Sequence, residues 1–174
     1  MISKLVADET ELCRRFYTNL NLDAYSQKLK TWSEENLYPL EMPEGKIIML
    51  GTHNAFVFEH WRRNFGAERV VGYDIINPNN HPAVLIRDLS TLNESDNTPL
   101  ALCCNDLPQW IVAPKVRKAG YVWSLRNIVE GGYYIDSPNH RCGWDLKKNL
   151  ESEGFEEYFW SNLLVIYRRT KKPR

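Results

Sequence analysis

Gly51, Asp74, Asp88, Asn105 and Asp106 are the residues whose types and spacing suit ligand chemistry. Gly51 follows the apolar run Lys46-Ile47-Ile48-Met49-Leu50 and opens a short turn, Thr52-His53-Asn54. Asp74 closes a second apolar run, Arg69-Val70-Val71-Gly72-Tyr73, 23 positions later (74 − 51). Between them an amphipathic segment runs from Phe56 to Gly66, with Val57, Trp61 and Phe65 as its inward stripe. That order reads as strand, tight loop, helix and parallel strand. A right-handed unit of this kind brings the first loop and the end of the second strand to one edge of the sheet. A glycine turn before a helix N-terminus lets backbone N–H groups approach a ligand, and the acid accepts hydrogen bonds from ribose hydroxyls. The pair therefore suits a nucleoside carrying an anionic or zwitterionic end.

The elements that must position these residues follow in order. Residues 1–44 read as mostly helical, from Leu5, Leu12, Phe16 and Leu20, then Tyr25, Leu29 and Trp32. Ala83-Val84-Leu85-Ile86 is a third strand, closed by Arg87 and Asp88. Leu100-Ala101-Leu102-Cys103-Cys104 is a fourth, closed by Asn105 and Asp106. Trp110 to Lys118 predicts a helix with a flaw at Pro114 and a stop at Gly120. Tyr121-Val122-Trp123-Ser124-Leu125 predicts a fifth strand, and Arg126 to Cys142 predicts a hairpin or a lid carrying Asp136 and His140. A helix over Asp145–Glu153, capped by Gly154, precedes two strands, Phe155–Trp160 and Leu163–Arg168, joined at Ser161-Asn162. The outline is α/β: five strands alternating with helices, then an antiparallel hairpin. Ligands of such sheets bind at the carboxyl ends of the strands, where Gly51, Asp74, Asp88, Asn105 and Asp106 gather.

The 174 residues suit one domain, with 1–44 as a helical cap, 45–169 as the core and 170–174 as a basic tail. At 43% hydrophobic and 25% charged the chain resembles soluble globular proteins. Zero net charge gives no global electrostatic case for nucleic acid. No apolar run approaches the roughly 20 residues of a membrane span. Acids at Asp8 and Glu9 argue against a signal peptide, so a cytoplasmic protein is expected. The cysteines, Cys13, Cys103, Cys104 and Cys142, form no C-x-x-C pair, and no spacing of Asp, Asn and His demands a metal. None of these thiols has an implied His partner that would make it a nucleophile. Phe56 stands where a dinucleotide fingerprint needs glycine, which argues against a nicotinamide cofactor.

Over residues 45–169 the pattern resembles the class I S-adenosylmethionine-dependent methyltransferases. The quoted segments are Leu50-Gly51-Thr52-His53-Asn54-Ala55 for the cofactor loop, Val71-Gly72-Tyr73-Asp74 for the ribose acid, and Ile86-Arg87-Asp88-Leu89 for the adenine contact. Cys104-Asn105-Asp106-Leu107-Pro108 takes the place near the transferred methyl group. Glu153-Gly154-Phe155-Glu156 with Leu163-Leu164-Val165-Ile166-Tyr167 matches the closing hairpin. The resemblance implies a three-layer Rossmann-like sandwich around a mostly parallel seven-stranded sheet, with a C-terminal antiparallel hairpin and N-terminal helices. It implies S-adenosylmethionine as cofactor, held by Gly51, Thr52, His53, Asn54, Asp74, Ile75, Asp88 and Asn105. Asp106, Asn105 and His53 become the catalytic candidates, acting on an O or N acceptor of a small molecule or a protein side chain. Two departures stand out. The usual G-x-G-x-G positions hold Gly51, His53 and Ala55, and Met49 replaces the acid common two residues before the first glycine. They motivate the alternative, a catalytically inactive interaction module of the same fold that still binds a nucleoside.

Overall fold

A computed structural model describes residues 22–52, 55–75, 77, 80–92, 97–105, 114–137 and 146–171. His53, Asn54, Asp106 and His140, with residues 1–21 and the last three of the tail, lie outside the described residues. Helix α1 (Leu22–Trp32) runs into a wider turn at Ser33–Leu37, followed by β1 (Lys46–Leu50), α2 (Ala55–Phe65), β2 (Val70–Asp74), β3 (Val84–Ile86) and β4 (Leu100–Cys104). Then come α3 (Pro114–Asn127), β5 (Ile128–Asp136), α4 (Leu146–Ser152), β6 (Phe155–Trp160) and β7 (Val165–Arg169).

The seven strands form one sheet in the order β3-β2-β1-β4-β5-β7-β6. The first five run parallel, and β7 is antiparallel to both β5 and β6. Strand order reverses between β1 and β4, the crevice where open sheets bind ligands. β1 is buried along both faces after its charged leader, as a central parallel strand must be. Its side chains alternate: Ile47 and Met49 join one core with Leu29, Trp32, Phe58 and Trp61, while Ile48 and Leu50 join the other with Tyr121, Trp123 and Leu150. Helices α1 and α2 therefore cover one face and α3 and α4 the other, in three layers. Cys103 and Cys104 divide between the two cores in the same way.

The fifth strand is not where the sequence suggests. Tyr121–Leu125 is helical, inside α3, and Gly120 does not stop that helix. A Cβ at Gly120 would lie 3.1 Å from Leu50 Cδ1 and 3.6 Å from Leu89 Cδ1, so this glycine lets α3 sit close against β1. Burial of Tyr121, Trp123 and Leu125 outweighs their strand preference. Pro114 is the first described residue of α3, and the expected helical stretch before it, 110–113, lies outside the described residues. Within Arg126–Cys142, expected as a lid or hairpin, Ile128–Asp136 is instead the central strand β5. Gly131 takes φ +81° and Gly132 lets the chain pass 2.9 Å from Ala101 O where a Cβ would stand. Five steps on β5 (Ile128 to Tyr133) thus oppose two on β4 (Leu100 to Leu102), a bulge that glycine permits. β7 begins at Val165, two residues later than expected, because Ser161 Oγ accepts from the Leu163 and Leu164 N–H groups at 3.2 and 3.1 Å and widens the turn.

Candidate functional site

At the carboxyl end of β1 the chain turns through Gly51, whose φ of +77° lies in the left-handed region that glycine adopts freely. Its N–H continues the parallel ladder to Tyr73 O at 2.8 Å. The next amide, Thr52 N–H, leaves the ladder and donates to Asp74 Oδ2 at 2.7 Å. Thr52 Oγ1 lies 3.4 Å from the same oxygen. Gly51, Thr52 and Asp74 are therefore one clasp across β1 and β2, with Thr52 and Asp74 both buried. Gly72 makes the approach possible, since a Cβ there would fall 2.2 Å from Thr52 Cγ2. That role was missed in the sequence, although a glycine inside an apolar strand signals close approach.

Asp88 does something local. Its Oδ1 accepts from Ser90 N–H at 2.9 Å and from Ser90 Oγ at 2.7 Å, capping the short 3-10 turn Leu89–Thr91. Ile75 is half-buried just beyond β2, and Arg87 N–H donates to Asp74 O at 2.7 Å, which ties the β3 exit to the acid.

Across the crevice the ends of β4 and β5 carry a second group. Asn105 is fully buried, with its N–H on Ile135 O at 2.8 Å. Its Nδ2 donates to Tyr134 Oη at 2.9 Å, and Tyr134 Oη donates to Asp136 Oδ2 at 2.7 Å. Asp136 Oδ1 accepts from Ser137 N–H at 2.7 Å and faces Arg117 Nη2 of α3 at 3.4 Å. Both ends of that ion pair are buried. Burial, reinforced by the Asp136 charge, pushes the Tyr134 phenol well above its usual range, so Tyr134 keeps its proton. Asn105 Oδ1 is buried and has no hydrogen-bond partner among the described residues. Asp136, expected in a hairpin or lid, is thus the last residue of β5, held by Tyr134 and Arg117. Tyr134 and Arg117 were missed. The i, i+2 spacing of Tyr134 and Asp136 places both on one face of a strand, a signal available only once 128–136 is read as β5. Cys103 beside them is not poised for attack: its Sγ lies 3.0 Å from Ser124 Oγ, and burial pushes the thiol up to about 12.

The arrangement brings Gly51, Thr52, Asp74 and Asn105 to the carboxyl edge over β2, β1 and β4, and leaves Asp88 as a cap at the flank. Asp74 gives a buried carboxylate at the end of β2, and Asn105 Oδ1 gives a buried acceptor without a hydrogen-bond partner among the described residues.

No protein-family profile matches the chain, and no curated protein matches it in sequence. Solved structures do match in fold. A Burkholderia thailandensis 1,6-didemethyltoxoflavin-N1-methyltransferase, with 1,6-didemethyltoxoflavin and S-adenosylhomocysteine bound, superposes with a TM-score of 0.63 at 10% identity, over 98% of this chain and 87% of that one. MycE methyltransferase from the mycinamycin biosynthetic pathway, in complex with Mg and SAH, gives 0.59 at 11% identity over 87% of this chain. This chain spans about half of it, 49%. The T. thermophilus 16S rRNA N2 G1207 methyltransferase RsmC, with AdoMet and guanosine, gives 0.52 at 16% identity, over 84% of this chain and 43% of that one. The chain has the Rossmann-like fold of the S-adenosylmethionine-dependent methyltransferases.

Proposed function

We propose that this protein is a methyltransferase that takes a methyl group from S-adenosylmethionine to an O or N nucleophile on a small molecule or a protein side chain. The observation that carries the reading is the convergence of Gly51, Asp74 and Asn105 on the carboxyl edge at the β1/β4 switch point, in a chain of this fold. Asp74, buried at the end of β2, would hold the ribose hydroxyls, since a carboxylate offers about four acceptor sites. The Gly51 turn keeps side-chain bulk away from the ligand's path. The cofactor, when bound, supplies an already activated methyl group. The work left to the chain is alignment of the nucleophile in line with it and exclusion of water. From the sequence alone, Asp106 and His53 remain the proposed groups for taking the acceptor's proton, with Asn105 as the third catalytic candidate. The 1,6-didemethyltoxoflavin bound to the Burkholderia enzyme supports a small-molecule acceptor, the rRNA enzyme among the neighbours does not, and zero net charge gives no global electrostatic case for nucleic acid. A cytoplasmic location completes the proposal.

Calorimetric titration with S-adenosylmethionine and S-adenosylhomocysteine, with NAD as control and Asp74→Ala beside the wild type, tests it. Micromolar binding that Asp74→Ala loses is the expected result. Silence for both nucleosides overturns the reading. One observation favours a second reading, an inactive module: the Thr52 N–H closes the loop onto the acid that would take the ribose, in a loop with His53 and Ala55 at glycine positions. A stable complex with a protein partner in pull-downs, without nucleoside-induced stabilisation, is its signature.

A further inference from the structure

The hydrogen bonds at the β4–β5 end run in one direction. Asp136 faces the Arg117 guanidinium and takes Ser137 N–H, so its carboxylate acts as acceptor. Tyr134 has a single proton and gives it to Asp136 Oδ2 at 2.7 Å. The Tyr134 oxygen then offers only lone pairs to its other neighbour, Asn105, 2.9 Å away. Asn105 must turn its Nδ2 toward Tyr134, because Oδ1 there would set lone pair against lone pair. The chemistry of the chain, rather than a choice of amide flip, fixes Oδ1 on the opposite side. There it is buried without a hydrogen-bond partner among the described residues. A buried acceptor without a donor is disfavoured, so this oxygen is arranged for a donor that arrives with a ligand.

The position of Asn105 indicates which donor. Asp74 ends β2, Asn105 follows β4, and β1 lies between them. Two strand spacings put the two residues about 10 Å apart across the sheet. In S-adenosylhomocysteine, seven bonds separate ribose C3′ from the α-nitrogen, a reach of about 9 Å at ordinary bond lengths. A ligand with its ribose on Asp74 therefore carries its ammonium to Asn105.

We propose that Tyr134 and Asp136, held by Arg117, are positioning residues that fix Asn105 Oδ1 as the acceptor for the ammonium end of the bound nucleoside. This deepens the proposed function and rests on it. The test is calorimetric titration of the full chain with two probes, S-adenosylhomocysteine and 5′-methylthioadenosine. The second keeps the adenosine and the thioether but lacks the amino-acid end. Asn105→Ala and the near-isosteric Tyr134→Phe each weaken S-adenosylhomocysteine roughly tenfold, the scale of one hydrogen bond to a charged group, and leave 5′-methylthioadenosine within about twofold. The double variant loses no more than Asn105→Ala alone, because Tyr134 acts only through Asn105. A purely structural role for Tyr134 shifts both probes together and overturns the proposal, as does a Tyr134→Phe protein that binds both probes like the wild type. If the wild type binds neither probe, the proposed function falls first and takes this inference with it. If Asp74→Ala loses both probes while Asn105→Ala and Tyr134→Phe discriminate between neither, the relay alone is wrong.

Discussion

The two sides of the crevice solve one problem differently. On the β1–β2 side, polar groups are positioned by backbone: a glycine φ, a ladder bond and the Thr52 amide on Asp74. On the β4–β5 side they are positioned by side chains from three elements: Asn105 after β4, Tyr134 and Asp136 on β5, and Arg117 on α3. The first device joins one strand–helix–strand unit and, apart from the Asp74 carboxylate, tolerates change in the side chains that do not crowd the loop. The second depends on a helix docking correctly and fails as a unit. A site built from both has one edge that resists substitution and one that does not.

The sharpest way to break the comparison is at Arg117. Arg117→Met removes one partner of a buried ion pair, a change that costs about 3–5 kcal/mol. Removing both charges, in Arg117→Met/Asp136→Asn, recovers part of that loss, because a matched pair of neutral groups needs less solvation. Urea unfolding of the single and double variants checks the order. A double variant as unstable as Arg117→Met alone would mean that packing of the Arg117 side chain, and not its charge, holds this side together.

The corresponding break on the other side is Gly72→Ala. Its Cβ would fall 2.2 Å from Thr52 Cγ2, so the loop must move or Thr52 must change rotamer. Overpacking of this kind costs about 1–3 kcal/mol. Thr52→Ser/Gly72→Ala, which removes the clashing methyl, restores most of the stability. Recovery below half of the loss would place the strain in the β2–β3 contact, where Val84 Cγ2 is 3.3 Å away.

How much of each side was legible in the sequence follows from the same difference. Gly51 and Asp74 could be paired from chain order alone, because a right-handed strand–helix–strand unit fixes which ends meet. The first four strands, α2, α4 and β6 stand where the sequence pattern placed them, and β7 is displaced by two residues at its start. The relay was not legible, because it needs α3 and β5 in place, and the periodicity of that stretch was misread. Tyr121-Val122-Trp123-Ser124-Leu125 is short and apolar, and a run of five satisfies both the helical and the strand period. Gly120 looked like a helix stop, and Gly131-Gly132 looked like a turn. The first is a packing glycine against Leu50 and the second a bulge against Ala101, roles set by neighbours distant in sequence.

Alkaline pH acts on the relay side. Burial raises Tyr134 well above 10.0 and Cys103 from 9.0 to about 12, and also raises Tyr121, which meets Tyr134 edge to face with centroids 5.7 Å apart. A group with a raised folded-state pKa holds its proton where the unfolded chain has released it. Its contribution is complete below the unfolded value, so stability falls as pH climbs past about 9 to 10. Each group adds about 1.4 kcal/mol per pH unit in that window. Tyr134→Phe removes one proton from the slope, read from urea midpoints at three alkaline pH values. An unchanged slope would show that Tyr134 reaches solvent.

The smallest effect settles where the site ends. Asp88 is on the flank, and its carboxylate is engaged with Ser90 N–H and Oγ. If that cap is its whole role, Asp88→Ala costs about 1 kcal/mol of stability and leaves affinity for adenosine unchanged. If Asp88 also reaches an adenine, as the resemblance implies, adenosine weakens as well, and Asp88→Asn, which keeps an acceptor for Ser90, separates the two roles by preserving the cap. A loss of adenosine affinity in both variants extends the ligand site from β4 to β3. A loss in neither confines it to the three strands on which the clasp and the relay stand.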